Sequence, residues 1–451
     1  MVEVPLKLYI HGLLKLAKTG ARPMAGLSPQ KKNQALQAMA DALISQAPDI
    51  LEANERDVGL ISKEGDKQVH REAVERIRIT EETIEDMAKR LLDFLAFPDP
   101  VGEMSQAWMT PDGLQVHTVR APIGVLGVIS DMGPIMTVES LGMCVKTNNV
   151  CVYRGGAEWL QTNLALFNCL REAAMTEGVP EGGLVFIDRG APEAALEVAK
   201  QTQYVQAVIP RGRASLRNGI VEHARVPVIG FDGGLCHVYV DQNADIPLAQ
   251  TIVVNAKVQS PTEANAMDTL LVHRDVSRHL LPGLTRRLLQ EYRVVLHGCP
   301  KTVSMLGVLE MTGHLGIKDA LDEDWDKKFQ SLTMNIKVVK DRQEALDHIA
   351  KYAPGHTDTI VTRDYDFAMQ FAREVDSSAV LINASTRLHG GEQFGLGPEL
   401  GTNSRRLHSR GPLTLSKLTM EKYMVMGTGQ LQQPHPVPQA YQDAMMLSSK
   451  F

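Results

Sequence analysis

The pattern of apolar and polar positions changes twice along the chain. Through the first hundred residues apolar side chains recur at helical spacing. The opening stretch MVEVPLKLYIHGLLKLAKTGARP interrupts its apolar positions with Lys7, His11 and Lys15, which predicts an amphipathic first helix rather than a signal peptide. Ser28 followed by Pro29 marks a helix start, and Leu36, Met39 and Leu43 then share a face. Thr80 with Glu81 and Glu82 marks another, carrying Ile84, Met87, Leu91 and Leu95 as its buried stripe. The turn residues PDG at 111–113 precede the alternating LQVHTVR, a hairpin signal.

From Gly124 onward short apolar runs alternate with helix-length stretches. GVLGVIS, VCVYR, GGLVFI and QAVIPRG form one set; TLLVHR, NIKVVK, DTIVT and SAVLINA form a second. Such alternation predicts parallel strands with helical crossovers, hence an open α/β class. The expected units are 1–105 with 121–250, then 251–385, with a changeover near 245–255. A hairpin at 106–120 and a returning segment at 386–430, including the strand-like KYMVMG, lie outside both units. Both are β-patterned, and an exposed sheet edge seeks a partner, so pairing between subunits is expected near 106–120 and 414–427. The tail 431–451 has three prolines among apolar anchors such as Tyr441, Met445 and Phe451, and predicts a flexible extension that docks on a neighbouring surface or a partner protein.

Composition narrows the function classes. The chain has 451 residues, 44% hydrophobic and 22% charged, with a net charge of -6. That balance gives no basic face for nucleic acid, and no apolar run approaches the roughly eighteen residues of a membrane span. A cytoplasmic protein is expected. The five cysteines form no C-x-x-C pair and predict buried reduced thiols, and the histidines show no metal-ligand spacing. A dinucleotide fingerprint is absent, since GLGPELG at 395–401 has the wrong spacing. Lys146 and Arg211 each fall where an expected strand ends, the ligand side of such sheets, but a solvated charge fits either position equally well.

Longer blocks carry more. APIGVLGVI (121–129), KTNNVCVYRGGAEWLQTN (146–163), VIPRGRASL (208–216), VPVIGFDGGLCHVYVD (226–241), KYAPGHTDTIVT (351–362), SSAVLINASTRLHGGEQFGLGPELG (377–401) and LHSRGPLTL (407–415) resemble the γ-glutamyl phosphate reductases, a branch of the aldehyde dehydrogenase superfamily. The resemblance implies an aldehyde dehydrogenase-like fold, with two Rossmann-like domains and a small β element for a homodimer or higher homo-oligomer. It also implies NADP(H) and the reduction of L-glutamate 5-phosphate to glutamate 5-semialdehyde, a step of proline synthesis. In that chemistry a cysteine attacks the acyl phosphate, a polar donor holds the oxyanion, and hydride reduces the thioester.

The chain departs from the family where that chemistry sits. The family segment resembling NAKTQRPGVCNALETLLVH is here NAKVQSPTEANAMDTLLVH, so the nucleophile falls on Ala264 and a carboxylate, Glu263, stands beside it. The loop resembling YEARPNVTVD is here SDMGPIMTVE; its arginine becomes Gly133 and the implied oxyanion donor becomes Ile135. The paired glycines of IPRGG, after Arg211, become Gly212-Arg213, and a family glutamate is replaced near Lys328. Lys146, which the resemblance places near the adenosine ribose, is kept. So are Asn383, Ser385, Thr386 and Arg387, implied to form part of the substrate-pocket wall. These substitutions predict a catalytically inactive relative serving in binding, regulation or scaffolding. The alternatives are an authentic reductase, or a new non-covalent activity with Glu263 as base.

Overall fold

The computed structural model describes residues 5–61, 74–230, 234–308, 317–353, 355–407 and 409–432, together with 439 and 443. Two parallel sheets organise it. The first is four-stranded, ordered β5-β4-β3-β6, from β3 (Val125–Ser130), β4 (Val150–Arg154), β5 (Leu184–Phe186) and β6 (Ala207–Arg211). The second has seven strands in the order β10-β9-β11-β8-β7-β12-β13. These are β7 (Cys236–Val240), β8 (Thr269–His273), β9 (Val295–Gly298), β10 (Ile317–Asp319), β11 (Thr333–Val339), β12 (Thr357–Val361) and β13 (Ala379–Ile382).

Local chemistry sets the helices as read from the pattern. The Leu6–Ala25 helix opens the described chain. Ser28 accepts a hydrogen bond from the Lys31 amide with Pro29 at the first turn, and Leu36, Met39 and Leu43 are buried. Thr80 and Thr83 cap each other at the start of Glu81–Asp93, whose Ile84, Met87 and Leu91 are buried. In the second sheet alternate residues feed opposite faces. Leu270 and Val272 join one core and Leu271 the other, as do Val238 and Val240 against Tyr239. A sheet covered on both faces needs this unbroken apolar run.

The changeover between units comes earlier than 245–255. Val228 still bridges to Val208 of the first sheet, but β7 pairs with β8 and β12 of the second. All five residues of CHVYV are buried, as suits a strand inside the second sheet. β1 (Met104–Met109), β2 (Gln115–Pro122) and β16 (Thr419–Met426) form an antiparallel sheet in the order β1-β2-β16 within one chain. Thr419 pairs with Pro122 and Met426 with Gln115, so the hairpin and the late strand satisfy each other. β14 (Glu399–Asn403) and β15 (Gly411–Thr414) make a small antiparallel pair. The tail reading lies, from residue 433 on, outside the described residues apart from 439 and 443.

Candidate active site

A cavity of about 610 Å³ opens at the carboxyl end of β6 and beside the loop that leads into the amino end of β8. Its walls include Ile135 and Glu139, one turn apart on the Ile135–Lys146 helix, together with Arg211, Glu263, Glu399 and an apolar side of Met87, Phe94 and Phe97. Sequence positions 135, 211 and 263 thus converge on one space.

Arg211 ends β6 and sits so close to Gly401 that a Cβ there would overlap its guanidinium; Gly401 also holds φ +130°. Burial lowers the Arg211 pKa to about 10, against the support of Glu399 and Glu139. Burial raises both of those carboxyls, with the Arg90 guanidinium, 2.6 Å from Glu139, opposing the rise there. The cleft therefore holds a buried cation between two poorly solvated acids.

The loop from Gln259 to Ala266 follows the Ile246–Val258 helix and leads into β8. Ala264 is exposed and offers only a methyl group, while its carbonyl is heavily used. Lys328 Nζ donates to it at 2.9 Å, to Ala266 O at 2.8 Å and to the Asp268 carboxylate at 2.8 Å. Those three bonds match the three donors of an ammonium. The Cys236 thiol donates to the same Ala264 carbonyl at 3.3 Å. Cys236 is the thiol beneath this loop, yet burial pushes it up to about 12, so almost no thiolate exists at neutral pH. Its neighbour His356, 3.7 Å away, is pushed down to about 3 by burial and cannot supply a cation. The other four cysteines are also buried and free.

The retained segment after β13 buttresses this loop. Arg387 donates to Gln259 at 2.7 Å and to the Asn265 amide oxygen, and Asn265 donates to the His389 carbonyl at 3.0 Å. Ser385 accepts from the Arg387 amide at 3.3 Å, and Thr386 is fully buried. Asn383, at φ +54°, spends its amide on both backbone groups of Thr362. Of the four only Arg387 reaches the loop directly, and none is among the residues that line the cavity.

Lys146 stands elsewhere, which corrects its reading as a cation at a strand end. It ends a helix of 12 residues begun by Ile135, about 18 Å long at the usual rise, on the far side of the sheet. It is 2% exposed and donates to Asn33 at 3.0 Å, and burial lowers its pKa. The basic group at the ligand end of that region is Arg154, the last residue of β4, 5% exposed. The rule that open parallel sheets bind ligands at their carboxyl ends picks it out from VCVYRGG. Beside it, Asp131 accepts from the Arg213 amide at 2.9 Å and pairs with Arg213 Nε at 2.8 Å, across Gly212 at φ +122°. Among the described residues no three His, Cys, Asp or Glu side chains are placed to hold a metal ion, and no helix is long and apolar enough to cross a membrane.

Two parallel sheets meeting at such a cleft, with a strand–loop–strand element outside both, are the architecture of the aldehyde dehydrogenases. The profile of the aldehyde dehydrogenase family matches residues 9–300. Curated relatives include the γ-glutamyl phosphate reductase of Heliobacterium modesticaldum, 41% identical over 92% of this chain and 97% of that one. That of Moorella thermoacetica is 42% identical over the same shares. The crystal structure of γ-glutamyl phosphate reductase from Thermotoga maritima superposes with a TM-score of 0.89 at 34% identity, covering 94% of this chain and 100% of that one. A probable aldehyde dehydrogenase from Listeria monocytogenes, 14% identical with a TM-score of 0.68 over 95% and 99%, shares the fold alone. The chain belongs to the γ-glutamyl phosphate reductases, within the aldehyde dehydrogenase family.

Proposed function

We propose that this chain is a non-catalytic γ-glutamyl phosphate reductase relative, which keeps the fold and cleft of its family for ligand binding or regulation and has given up covalent reduction of L-glutamate 5-phosphate. The observation that carries the reading is Ala264 on the loop where the family's nucleophile aligns, with no thiol able to replace it. The thiol under the loop, Cys236, is fully buried with its pKa pushed up to about 12. Ile135, where the family carries its amide, puts a hydrocarbon on the cavity wall. A hydrocarbon stabilises no oxyanion, and loss of one such donor typically costs ~10²–10³ in rate.

The loop itself has been kept ordered. Lys328, Asn265 and Arg387 hold it through the hydrogen bonds given above, which suits a cleft retained as a binding surface. NADP(H) is the cofactor class this reading assigns to the crevice at Arg154, Gly212 and Arg213, with weak affinity because Arg213 crowds the position of a family glycine. The dinucleotide, when bound, would supply hydride; the residues here would hold its phosphates.

The reading places the protein in the cytoplasm as a homodimer or larger homo-oligomer. The outer strands of the three-stranded sheet support it: Met104, Trp108 and Met109 on β1 and Met420, Tyr423 and Val425 on β16 are exposed. Such edges find a strand partner, here a second copy.

The test pairs turnover with binding. Phosphate-dependent NADPH formation from glutamate 5-semialdehyde should be indistinguishable from background. Thermal-shift titration with glutamate, proline, phosphate and NADPH should find at least one stabilising ligand. Turnover by the natural chain would end this reading in favour of an authentic reductase.

A further inference from the structure

The crevice between β3 and β6 is where the strand order β5-β4-β3-β6 reverses, since the chain steps outward from β3 to β5 and returns on the other side. Ligands of open α/β sheets bind at such points. Ser130 at the end of β3 lies opposite Arg211 at the end of β6, and Ile129 lies opposite Arg154. The carboxyl ends of β3, β4 and β6 therefore meet there. The Ala214–His223 helix, ten residues long, starts at the same place, and its first free amides favour an anion.

That anion position is already filled from within. Asp131 accepts the Arg213 amide at the helix start and is flanked by the Arg213 side chain, which is 70% exposed while the Asp131 carboxylate is 9% exposed. The carboxylate lies directly against Gly212, where a Cβ would collide with it. A second, independent feature faces the same spot. Arg154 is nineteen-twentieths buried and hands one nitrogen to the Gly190 carbonyl, but its Nε has no hydrogen-bond partner among the described residues. Its charge is sustained by Asp131 against the cost of burial. A buried guanidinium with an unspent donor is expensive unless an acceptor visits it.

We propose that this crevice is a phosphate site latched shut by the chain itself: the Asp131 carboxylate stands in for the ligand's phosphate, and a phosphate-bearing ligand enters only by displacing it from Arg213 and the helix start, onto Arg154. The latch differs from simple crowding by Arg213. Crowding acts through bulk and would be indifferent to the charge at position 131, whereas a latch competes as one anion with another. Because it concerns binding alone, it stands or falls independently of whether the chain turns over substrate.

Calorimetric titration of the full chain with NADPH and, separately, with inorganic phosphate tests it. If the closed state holds about nine-tenths of the molecules, Asp131→Ala should bind about tenfold more tightly than the natural chain. Asp131→Asn, which keeps the shape but not the charge, should recover much of that gain and guards against misfolding of the alanine variant. Adding Arg154→Met should cancel it. A gain for both titrants marks a site for phosphate as such; a gain for NADPH alone marks one that needs the dinucleotide. Equal affinities of the natural chain, Asp131→Ala and Asp131→Asn for both titrants, with unchanged melting, would overturn the proposal.

Discussion

The two α/β units differ in how their ligand ends depart from the family. In the first, the crevice is filled: Arg213 takes the place of a family glycine and pairs with Asp131, at a position where the family loop also carries an acid. In the second, on the proposed reading, the key side chain is missing at Ala264, and the loop around it is tied down by Lys328 and Arg387. Filling is reversible by one substitution, because the scaffold around it remains. Removal followed by bracing is not, because the surroundings have adapted to the gap. The two units should therefore respond differently to substitution and to pH.

The largest expected effect is at the brace. Lys328→Met strips the cation from Asp268, which is 1% exposed, and takes one donor from each of three acceptors. Removing one partner of a buried pair costs about 3 kcal/mol or more. Urea unfolding should show that loss, and adding Asp268→Asn should recover part of it. An unchanged midpoint for Lys328→Met would mean that the brace is ornamental.

Acid should sharpen the contrast between units. The second buries His356 and His389, and burial holds them down at about 3 and about 4, below the ordinary 6.5. As pH falls the unfolded chain binds those protons first. Their stabilisation is complete above about pH 6.5 and drains away from there down to about 4 for His389 and about 3 for His356, by up to about 1.4 kcal/mol per pH unit for each ring. Among the described residues of the first unit and its hairpin, His11 and His223 are exposed and His117 is half-buried. Hydrogen exchange at pH 5 should open β12 before β3. Equal acceleration in both sheets would contradict this.

A smaller effect, on assembly rather than folding, concerns the sheet outside both units. Tyr423→Lys with Met424→Lys on β16 should lower the mass seen by sedimentation to that of one chain while leaving the melting temperature within a degree or two, since exposed substitutions usually change stability little. A natural chain that already sediments as a monomer would remove the premise.

Much of this was legible from residue pattern. The capped helices at Ser28 and Thr80 and the apolar runs of β3, β6, β8 and β12 follow from local chemistry that tertiary contacts reinforce. The convergence of Ile135, Arg211 and Glu263 was legible only through the family's motifs, since no spacing rule joins positions so far apart. Lys146 was misplaced because a lysine at a helix end and one at a strand end look alike in sequence. Asp131 escaped functional notice, and Lys328 was read only as a replaced glutamate, for a different reason. Their roles depend on which backbone groups they reach across the fold, and pairing over 82 and 64 residues leaves no periodic trace.

The central claim is that the loss of chemistry is spread over the cleft rather than confined to one methyl group. It is tested by phosphate-dependent NADPH formation from glutamate 5-semialdehyde in three variants: Ala264→Cys, then with Ile135→Asn, then also with Arg213→Gly. The single reversion should give little turnover, because Ile135 offers no oxyanion donor and Glu263 beside the new thiol raises its pKa. Adding Ile135→Asn should raise the rate by ~10²-fold or more, and Arg213→Gly should add to it by admitting the cofactor. Robust turnover from Ala264→Cys alone would show an otherwise intact active site and contradict the account.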